Sequence, residues 1–438
     1  MVVSVISQWA KKKGIGLVAT GDWTHPIWLR ELKSTLEEAQ EGVYRLRGES
    51  EDAPLFLLST EVSSIYSQGG KTRRIHTLIF APNFDAVEKI NKELVIRGAN
   101  LMSDGRPIVG LSARQVAQIA LETDERCLII PAHAWTPWFS LYGSMSGFDS
   151  IEECFGDLSG SIYAIETGLS SDPAMNWRIE ELGDRRIVSF SDAHSPQKLG
   201  REATVFQIKE SKIKSQNDNS KLKISYKDIY DAISGNPVGD WEVGHTIEFY
   251  PEEGKYHYTG HRNCKVVYSP KEARKKGVVC PVCGKNLTVG VMSRVEHLAS
   301  VEIETEAEKD KFGVRWIKPK ESPLRARGSL SRRPYLMLVP LMEIIAEAQG
   351  VGVASKQVMT IYEKLVNSIG SEFKILLETE RKELEKVVGP KVAEGIMKVR
   401  SGDIVIEPGY DGVFGKVKIW KEGEDTQKEE QVDQATLF

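Results

Sequence analysis

Through its first 210 residues the chain alternates two patterns. Short apolar runs, Ile15-Gly-Leu-Val-Ala-Thr20, Leu55-Phe-Leu-Leu-Ser59, Arg74-Ile-His-Thr-Leu-Ile-Phe80, Cys127-Leu-Ile-Ile-Pro131 and Ile187-Val-Ser-Phe190, read as strands. Between them lie stretches with apolar positions three or four apart, such as Trp28-Leu-Arg-Glu-Leu-Lys-Ser-Thr-Leu36 and Phe84-Asp-Ala-Val-Glu-Lys-Ile-Asn-Lys-Glu-Leu94, which read as amphipathic helices. Strands alternating with helices predict an α/β fold with a parallel sheet or barrel. The polar segment 212–221 breaks the pattern and marks a boundary, and a short aromatic and cysteine-bearing module runs from there to residue 300. From residue 334 to 400 the period is helical, as in Leu336-Met-Leu-Val-Pro-Leu-Met-Glu-Ile-Ile-Ala-Glu-Ala348, which predicts an antiparallel helical region. The acidic stretch 422–433 carries too little apolar surface to fold. There is no long internal repeat.

Composition narrows the class. A chain of 438 residues is long enough for several domains and a barrel-sized core. No apolar run reaches the roughly 18 residues of a membrane span, and the N-terminus lacks a signal-peptide layout, so the expectation is a cytoplasmic, nucleoid-associated protein with no membrane partner. Five cysteines, an odd number, argue against a disulfide framework. The net charge of −4 is uninformative, but residues 311–335 hold eight Lys or Arg against the single Glu321, which suits a nucleic-acid contact or, on the plainer reading, a solvated linker.

The candidate chemistry sits at the ends of the strands. Gly-Asp22-Trp-Thr-His25, Thr-Glu61, Ala-His133 and Ser-Asp192-Ala-His194 each follow an apolar run, while His76 opens its run. Imidazoles and carboxylates at successive strand ends converge on one rim of a barrel, where they can hold a metal such as Zn, Mn or Fe. Grouped metals make hydroxide from bound water and neutralise a phosphate in transit, so phosphoester hydrolysis is the natural chemistry. A second cluster, His261-Arg-Asn-Cys264 followed by Cys280-Pro-Val-Cys283-Gly, has the spacing of a closed tetrahedral zinc site, with His257 a competing fourth ligand. Such a site stabilises a small module without doing chemistry.

Gly21-Asp-Trp-Thr-His25, Glu61, His76, Pro131-Ala-His133 and Ser191-Asp-Ala-His194 together resemble the polymerase and histidinol phosphatase (PHP) family of metal-dependent phosphoesterases. Ile165-Glu-Thr-Gly-Leu-Ser-Ser-Asp-Pro173, Pro131-Ala-His-Ala-Trp-Thr-Pro-Trp138, Gly254-Lys-Tyr-His-Tyr-Thr-Gly-His-Arg-Asn-Cys264, Cys280-Pro-Val-Cys-Gly-Lys285 and Ile406-Glu-Pro-Gly-Tyr-Asp-Gly-Val-Phe-Gly415 narrow the resemblance to the endonuclease Q family, in the same order over nearly the whole chain. The resemblance implies a distorted β/α, PHP-type barrel over residues 1–212, a zinc-binding module over 213–310, a basic linker and helical hairpin that binds DNA over 311–420, and a disordered acidic tail over 421–438.

It also implies an activity, nicking of DNA 5′ to uracil, hypoxanthine or xanthine and at abasic sites. Glu61 would bridge catalytic divalent metals (Zn, Mn or Mg), His25, His76 and His133 would each hold one, and Asp192 and His194 would complete the group; Glu61, Asp192 and His194 are the expected catalytic residues. His261, Cys264, Cys280 and Cys283 would hold a structural zinc. Family members begin with a strand ending in His-x-His, and nothing before Trp9 supplies one; a misplaced start codon is the preferred explanation, and true loss of the motif, which would leave one metal position short of ligands, is the alternative.

Residues 384–400 resemble a helix-hairpin-helix, with Gly389 at the turn and Lys391 at the start of the second helix facing a DNA phosphate. Arg325, Arg327, Arg332 and Arg333 are the expected backbone contacts. A damaged base must leave the stack to be read, and Gly168, Ser170 and Ser171 are the candidate pocket wall, with Trp135, Trp138 and Trp177 placed to stack or wedge. The C-terminal Gln434-Ala-Thr-Leu437-Phe438 resembles a peptide that docks on a sliding clamp. Two readings compete: a small-molecule phosphatase of the PHP superfamily, which needs neither zinc module nor basic helices, and a non-catalytic damage-binding protein. A helicase is disfavoured, because Gly350-Val-Gly-Val-Ala-Ser-Lys356 lacks the glycine that precedes lysine in a phosphate-binding loop.

Overall fold

The computed structural model describes residues 2–103, 106–210, 223–320 and 332–421. Arg325, Arg327 and the Gln434, Leu437 and Phe438 peptide lie outside the described residues, as does most of the polar segment predicted as a boundary.

The main sheet is built on one long hairpin, Leu55–Gln68 with Lys71–Ala81, turned by Gly69 and Gly70 at φ 61° and 72°. Two successive positive φ values give the type of turn whose twist matches paired strands, and only glycine takes both without strain. Leu36–Gln40 and Val43–Leu46 extend the sheet beyond Leu55–Gln68, and Leu128–Pro131 pairs with the far side of Lys71–Ala81. All of these pairs are antiparallel; only Leu17–Ala19 and Ile108–Val109 join Leu55–Gln68 in parallel. The parallel sheet expected from strand–helix alternation is thereby corrected, because the double-glycine turn returns the chain at once with no crossover helix. Ala164–Glu166 and Arg186–Val188 form a separate parallel pair, and no sheet closes into a barrel among the described residues. The architecture is mixed α/β.

Helices Phe84–Ile96 and Ala113–Thr123 cover this sheet. Asn83 caps the first, and a reciprocal Ser112–Gln115 capping box starts the second, each satisfying amide groups the helix leaves unpaired. Their buried faces (Val87, Ile90, Leu94, Val116, Ala120) pack with Phe56, Ile75, Ile79 and Ile129 into the largest apolar core.

A second sheet runs in the order Ala203–Ile208, Trp241–Glu248, Tyr335–Met337, Arg315–Pro319, Thr305–Lys309. Two sequence expectations change here. Residues 315–319 are a strand rather than a linker, and its lysines face acids on the neighbouring strand: Lys318 pairs with Glu306 and Glu308, and Lys320 with Glu304. Two of the eight basic residues, Lys318 and Lys320, are therefore already paired with acids of this chain. Leu336 and Met337 are strand too; the helix starts only after Pro340, whose ring restricts the residue before it to extended backbone.

Helices Leu341–Gln349, Lys356–Ile369, Glu372–Leu377, Arg381–Val388 and Pro390–Ser401 enclose their own core of Leu341, Ile344, Tyr362, Leu365, Ile375 and Ile396. The N-terminal helix Val3–Lys13 locks onto it. Lys13 and Glu372 form a buried ion pair at 2.6 Å, and Trp9 stacks on Tyr362.

Candidate metal centre and nucleic-acid interface

Strand register explains how distant donors meet. Glu61 lies opposite Leu78 and Ser63 opposite His76, so Glu61 and His76 share one face of the hairpin as diagonal neighbours. Pro131 ends its strand opposite Thr77, and the amide of Ala132 donates to the carbonyl of His76, which brings His133 out beside the same face. Glu61 Oε1 lies 2.8 Å from His76 Nδ1 and 3.3 Å from His133 Nε2, and the two imidazole nitrogens are 3.1 Å apart. Glu61, His76 and His133 each offer a donor atom within 4.8 Å of the others. His76 sits within its strand rather than opening it, because the strand begins at Lys71, after the turn.

Charge in this pocket is redistributed. Burial alone would raise Glu61, but hydrogen bonds from His133 and His76 outweigh it and hold the carboxyl well below the usual range. His133 rises despite burial, through its bond to Glu61 and the charges of Glu61, Glu166 and Asp192. His76 falls, with burial the largest cause.

The other predicted ligands ring this trio without joining it. Burial and the charge of Glu61 raise Asp22, while Arg106, His194 and His25 lower it, so each of these groups stands within electrostatic reach of Asp22. His25 ends the loop as N-cap of helix Pro26–Thr35, its amide bonded to the carbonyl of Asp22. His194 is exposed, with Nδ1 3.0 Å from the carbonyl oxygen of Asp192. Arg201 donates to the carbonyls of Ser191 and Asp192 and so fixes that loop. Six non-glycine residues have positive φ among the described residues, and four of them are Asp22, His133, Asp192 and Phe139, whose ring packs on His76. Backbone strain of this kind collects where a fold holds a side chain for function.

Two residues at the site escaped the sequence reading. Glu166, ending the strand Ala164–Glu166, accepts the amide N–H of His133 at 2.7 Å; burial pushes its carboxyl up to about 8. Arg106 Nη1 donates to Glu61 Oε1 at 2.7 Å and lies 2.6 Å from His76 Nδ1. The guanidinium therefore lies against Glu61 and His76, and the carboxylate and two imidazoles, their donor atoms within 4.8 Å of one another, are a set that fits a divalent ion.

The second cluster is built by the hairpin Thr259–His261 with Val266–Tyr268 and the turn after residue 279. His261, Cys264, Cys280 and Cys283 come within 4.8 Å, with His261 Nδ1 3.4 Å from Cys283 Sγ. Burial would raise Cys280, but the amides of Cys283 and Val282 and the His261 ring bring its thiol down to about 6. Gly284 makes that turn at φ 70°. His257 is buried elsewhere, stacked on Tyr258, and burial lowers it to about 4.

Of the proposed nucleic-acid contacts, Arg333 pairs with Glu242, Arg332 Nε is buried without a partner, and Gly389 links helices Arg381–Val388 and Pro390–Ser401 at φ 81°. The Lys391 ammonium lies 4.1 Å from the Trp420 ring centroid. Gly168 packs on His133, Ser170 has a buried hydroxyl without a partner, and Ser171 donates to the Thr167 carbonyl. Trp135 and Trp177 are core residues, the first donating to Asn176 and the second packed on Tyr335, while Trp138 is half-buried at the edge of Tyr256.

Residues 340–403 match the family model described as the MJ0043 C-terminal domain. The uncharacterized protein MJ0043 of Methanocaldococcus jannaschii is 34% identical over 300 residues, 68% of this chain and 33% of that protein, so the chain spans about a third of that relative. The uncharacterized protein YqxK of Bacillus subtilis is 26% identical over 417 residues, covering 94% of this chain and 91% of its own length. The crystal structure of the lesion-specific endonuclease PfuEndoQ from Pyrococcus furiosus superposes at a TM-score of 0.75 with 30% identity, covering 96% of this chain and 91% of that one. A structure of endonuclease Q with a 27-mer duplex substrate carrying an abasic lesion at the active site gives 0.76 and 31%, over 96% and 92%.

Proposed function

This chain belongs to the endonuclease Q family, and from that premise we propose that it is a metal-dependent DNA repair nuclease that nicks 5′ of uracil, hypoxanthine and xanthine and at abasic sites. The observation that carries the reading is the meeting of Glu61, His76 and His133 at one mouth, in a chain that matches lesion-specific nucleases over almost its full length. A divalent ion such as Zn, Mn or Mg supplies hydroxide and neutralises phosphate charge when bound there. Residues 1–212 are the phosphoesterase region that carries the site, built, among the described residues, on the hairpin sheet of Glu61 and His76 rather than on a closed barrel. Glu61, His76 and His133 hold the ion, with His25, Asp192 and His194 on the adjoining loops; Glu61, Asp192 and His194 are the residues assigned to catalysis. Glu166 holds His133 through its amide, and Arg201 holds the carbonyl of Asp192.

Residues 213–310 carry a structural zinc on His261, Cys264, Cys280 and Cys283, a set of soft ligands that leaves no position open. Residues 311–420 grip DNA, through Arg325, Arg327, Arg332 and Arg333 and through Lys391 and the amides beyond Gly389. The flipped base is read beside Gly168, Ser170 and Ser171, where the free Ser170 hydroxyl is an unused polar group. The tail peptide Gln434, Leu437 and Phe438 docks on a sliding clamp. No described helix is long and apolar enough to cross a membrane.

The test is cleavage of duplexes with a single uracil, hypoxanthine or abasic site in manganese, magnesium or zinc, with the nick mapped on a denaturing gel. Nicking that is lost in Asp192→Asn supports the reading. Phosphate release from histidinol phosphate without nicking replaces it with the small-molecule phosphatase, and lesion binding without nicking replaces it with a damage-binding role.

A further inference from the structure

Arg106 is placed with unusual economy. Its neighbour Pro107 accepts the amide of Ser63, and Ile108–Val109 pairs with Ser63 and Ser64, so the backbone at 106 is tied to the strand that carries Glu61, two residues away from the pairing point. The guanidinium itself is 28% exposed and reaches back to Glu61 Oε1 and His76 Nδ1 through one nitrogen, Nη1. Arginine can only donate, so Glu61 Oε1 turns a lone pair toward it, and the close approach to His76 Nδ1 puts the guanidinium on the same edge of that ring. Glu61 Oε1 and His76 Nδ1 are the same two atoms that a metal held by this pair would take. One oxygen and one nitrogen cannot serve a guanidinium and a divalent ion together.

Resting on the metal-centre reading above, we propose that Arg106 is an exchangeable cation of the active site, which pairs with Glu61 and His76 until a divalent ion displaces it and then carries its charge to the phosphate at the cluster. In the first state it keeps a buried carboxylate paired, a necessity where an unpaired charge is costly. In the second it offers a planar fork of donors beside the metal, the geometry that suits phosphate oxygens. Arg106 thus sets both how tightly the metal binds and how the phosphate is gripped.

The experiment uses the full chain, stripped of loosely held metal, with manganese alone as the first probe, because a thiolate-rich site selects softer ions. Arg106→Gln removes the competing charge and is expected to bind manganese about tenfold more tightly than the parent, within the span usual for coupled sites. Inorganic phosphate is the second probe: the manganese-loaded variant is expected to bind it about tenfold more weakly, the loss of one charge-assisted contact. Unchanged or weaker manganese binding overturns the proposal while leaving the metal centre intact. Tighter manganese with unchanged phosphate overturns the transfer of the charge. No manganese uptake by either protein overturns the metal-centre reading and this proposal with it. Circular dichroism verifies that the variant folds; should it not, Arg106→Lys, whose compact ammonium lacks the fork, must show the weaker phosphate binding for the proposal to stand.

Discussion

Gly168 packs directly against His133: a Cβ at position 168 would lie 2.5 Å from His133 Cβ and 2.7 Å from its Cα. Residue 168 also has φ 57°, a left-handed backbone that costs an ordinary residue roughly 1–2 kcal/mol before any contact is counted. Both neighbours are constrained, since His133 is itself left-handed at φ 32°. Gly168→Ala therefore forces His133 or its own backbone to shift. The expected outcome is a lower melting temperature together with weakened manganese binding; an alanine variant that binds metal like the parent would show that this close approach is incidental.

The carboxylate of Glu166 holds His133 from the other side, accepting its amide N–H at 2.7 Å. Groups that orient a metal-binding imidazole commonly contribute about 10- to 100-fold to metal affinity. Glu166→Ala is expected to reduce manganese affinity within that range, and Glu166→Gln, which keeps an acceptor for the amide, to lose less. Isothermal titration of both variants decides it: equal losses would mean that the bond from Glu166 to the amide does not set the position of His133.

Much of this site was readable from composition and spacing, and the remainder had a physical reason to stay hidden. His25, His133, Asp192 and His194 each follow a strand that the apolar runs announce, and the structure has strands at Leu17–Ala19, Leu128–Pro131 and Arg186–Val188. Glu61 was found at the end of an apolar run, yet its strand continues to Gln68, because the polar residues beyond Ser59 pair along the hairpin instead of leaving the sheet. Topology was misread at the Gly69-Gly70 turn, a two-residue signal between runs that otherwise look like separate strands of a parallel sheet. Arg106 could not be found by spacing, since it lies 45 residues from Glu61 in a stretch with no periodic pattern. Nor does any residue type announce the left-handed backbone at Asp22, His133 and Asp192, which is imposed by the contacts around them. Charge counting misled over residues 315–320, where strand pairing supplies Glu304, Glu306 and Glu308 as partners.

The cysteine cluster has a test of its own. Val266, Tyr268, Ala273, Cys280 and Leu287 form a small core, too few apolar groups to hold a hairpin and a helix of seven residues by burial alone. The ligand set is expected to make up the difference through one zinc ion. Elemental analysis should find about one tightly held zinc per chain fewer in Cys280→Ser than in the parent. Protease digestion of the variant should then cut first within residues 259–288. Resistance equal to that of the parent would show that the module stands without metal.

Glu248 and Glu202 give the fold a pH dependence whose sign is fixed by burial. Glu248 accepts from the Thr167 and Ser189 hydroxyls at 3.0 Å each, its other oxygen is buried without a partner, and burial pushes its carboxyl up to about 8 from the ordinary 4.5. Glu202, also buried, is raised by the same cause and by the charge of Glu248. Between those pH values the folded chain holds protons that the unfolded chain has released, so stability is greatest at and below the ordinary carboxyl value and falls as pH rises toward 8. The loss comes from ionising a carboxyl that water cannot reach. Glu248→Gln keeps the acceptor for both hydroxyls and cannot ionise. Thermal melts from pH 5 to pH 9 are expected to fall by several degrees in the parent and to fall less steeply in the variant, with Glu202, Glu166 and Glu253, all raised by burial, accounting for the slope that persists. Parallel curves for the two proteins would mean that water or a cation reaches Glu248 and keeps it charged in the folded state.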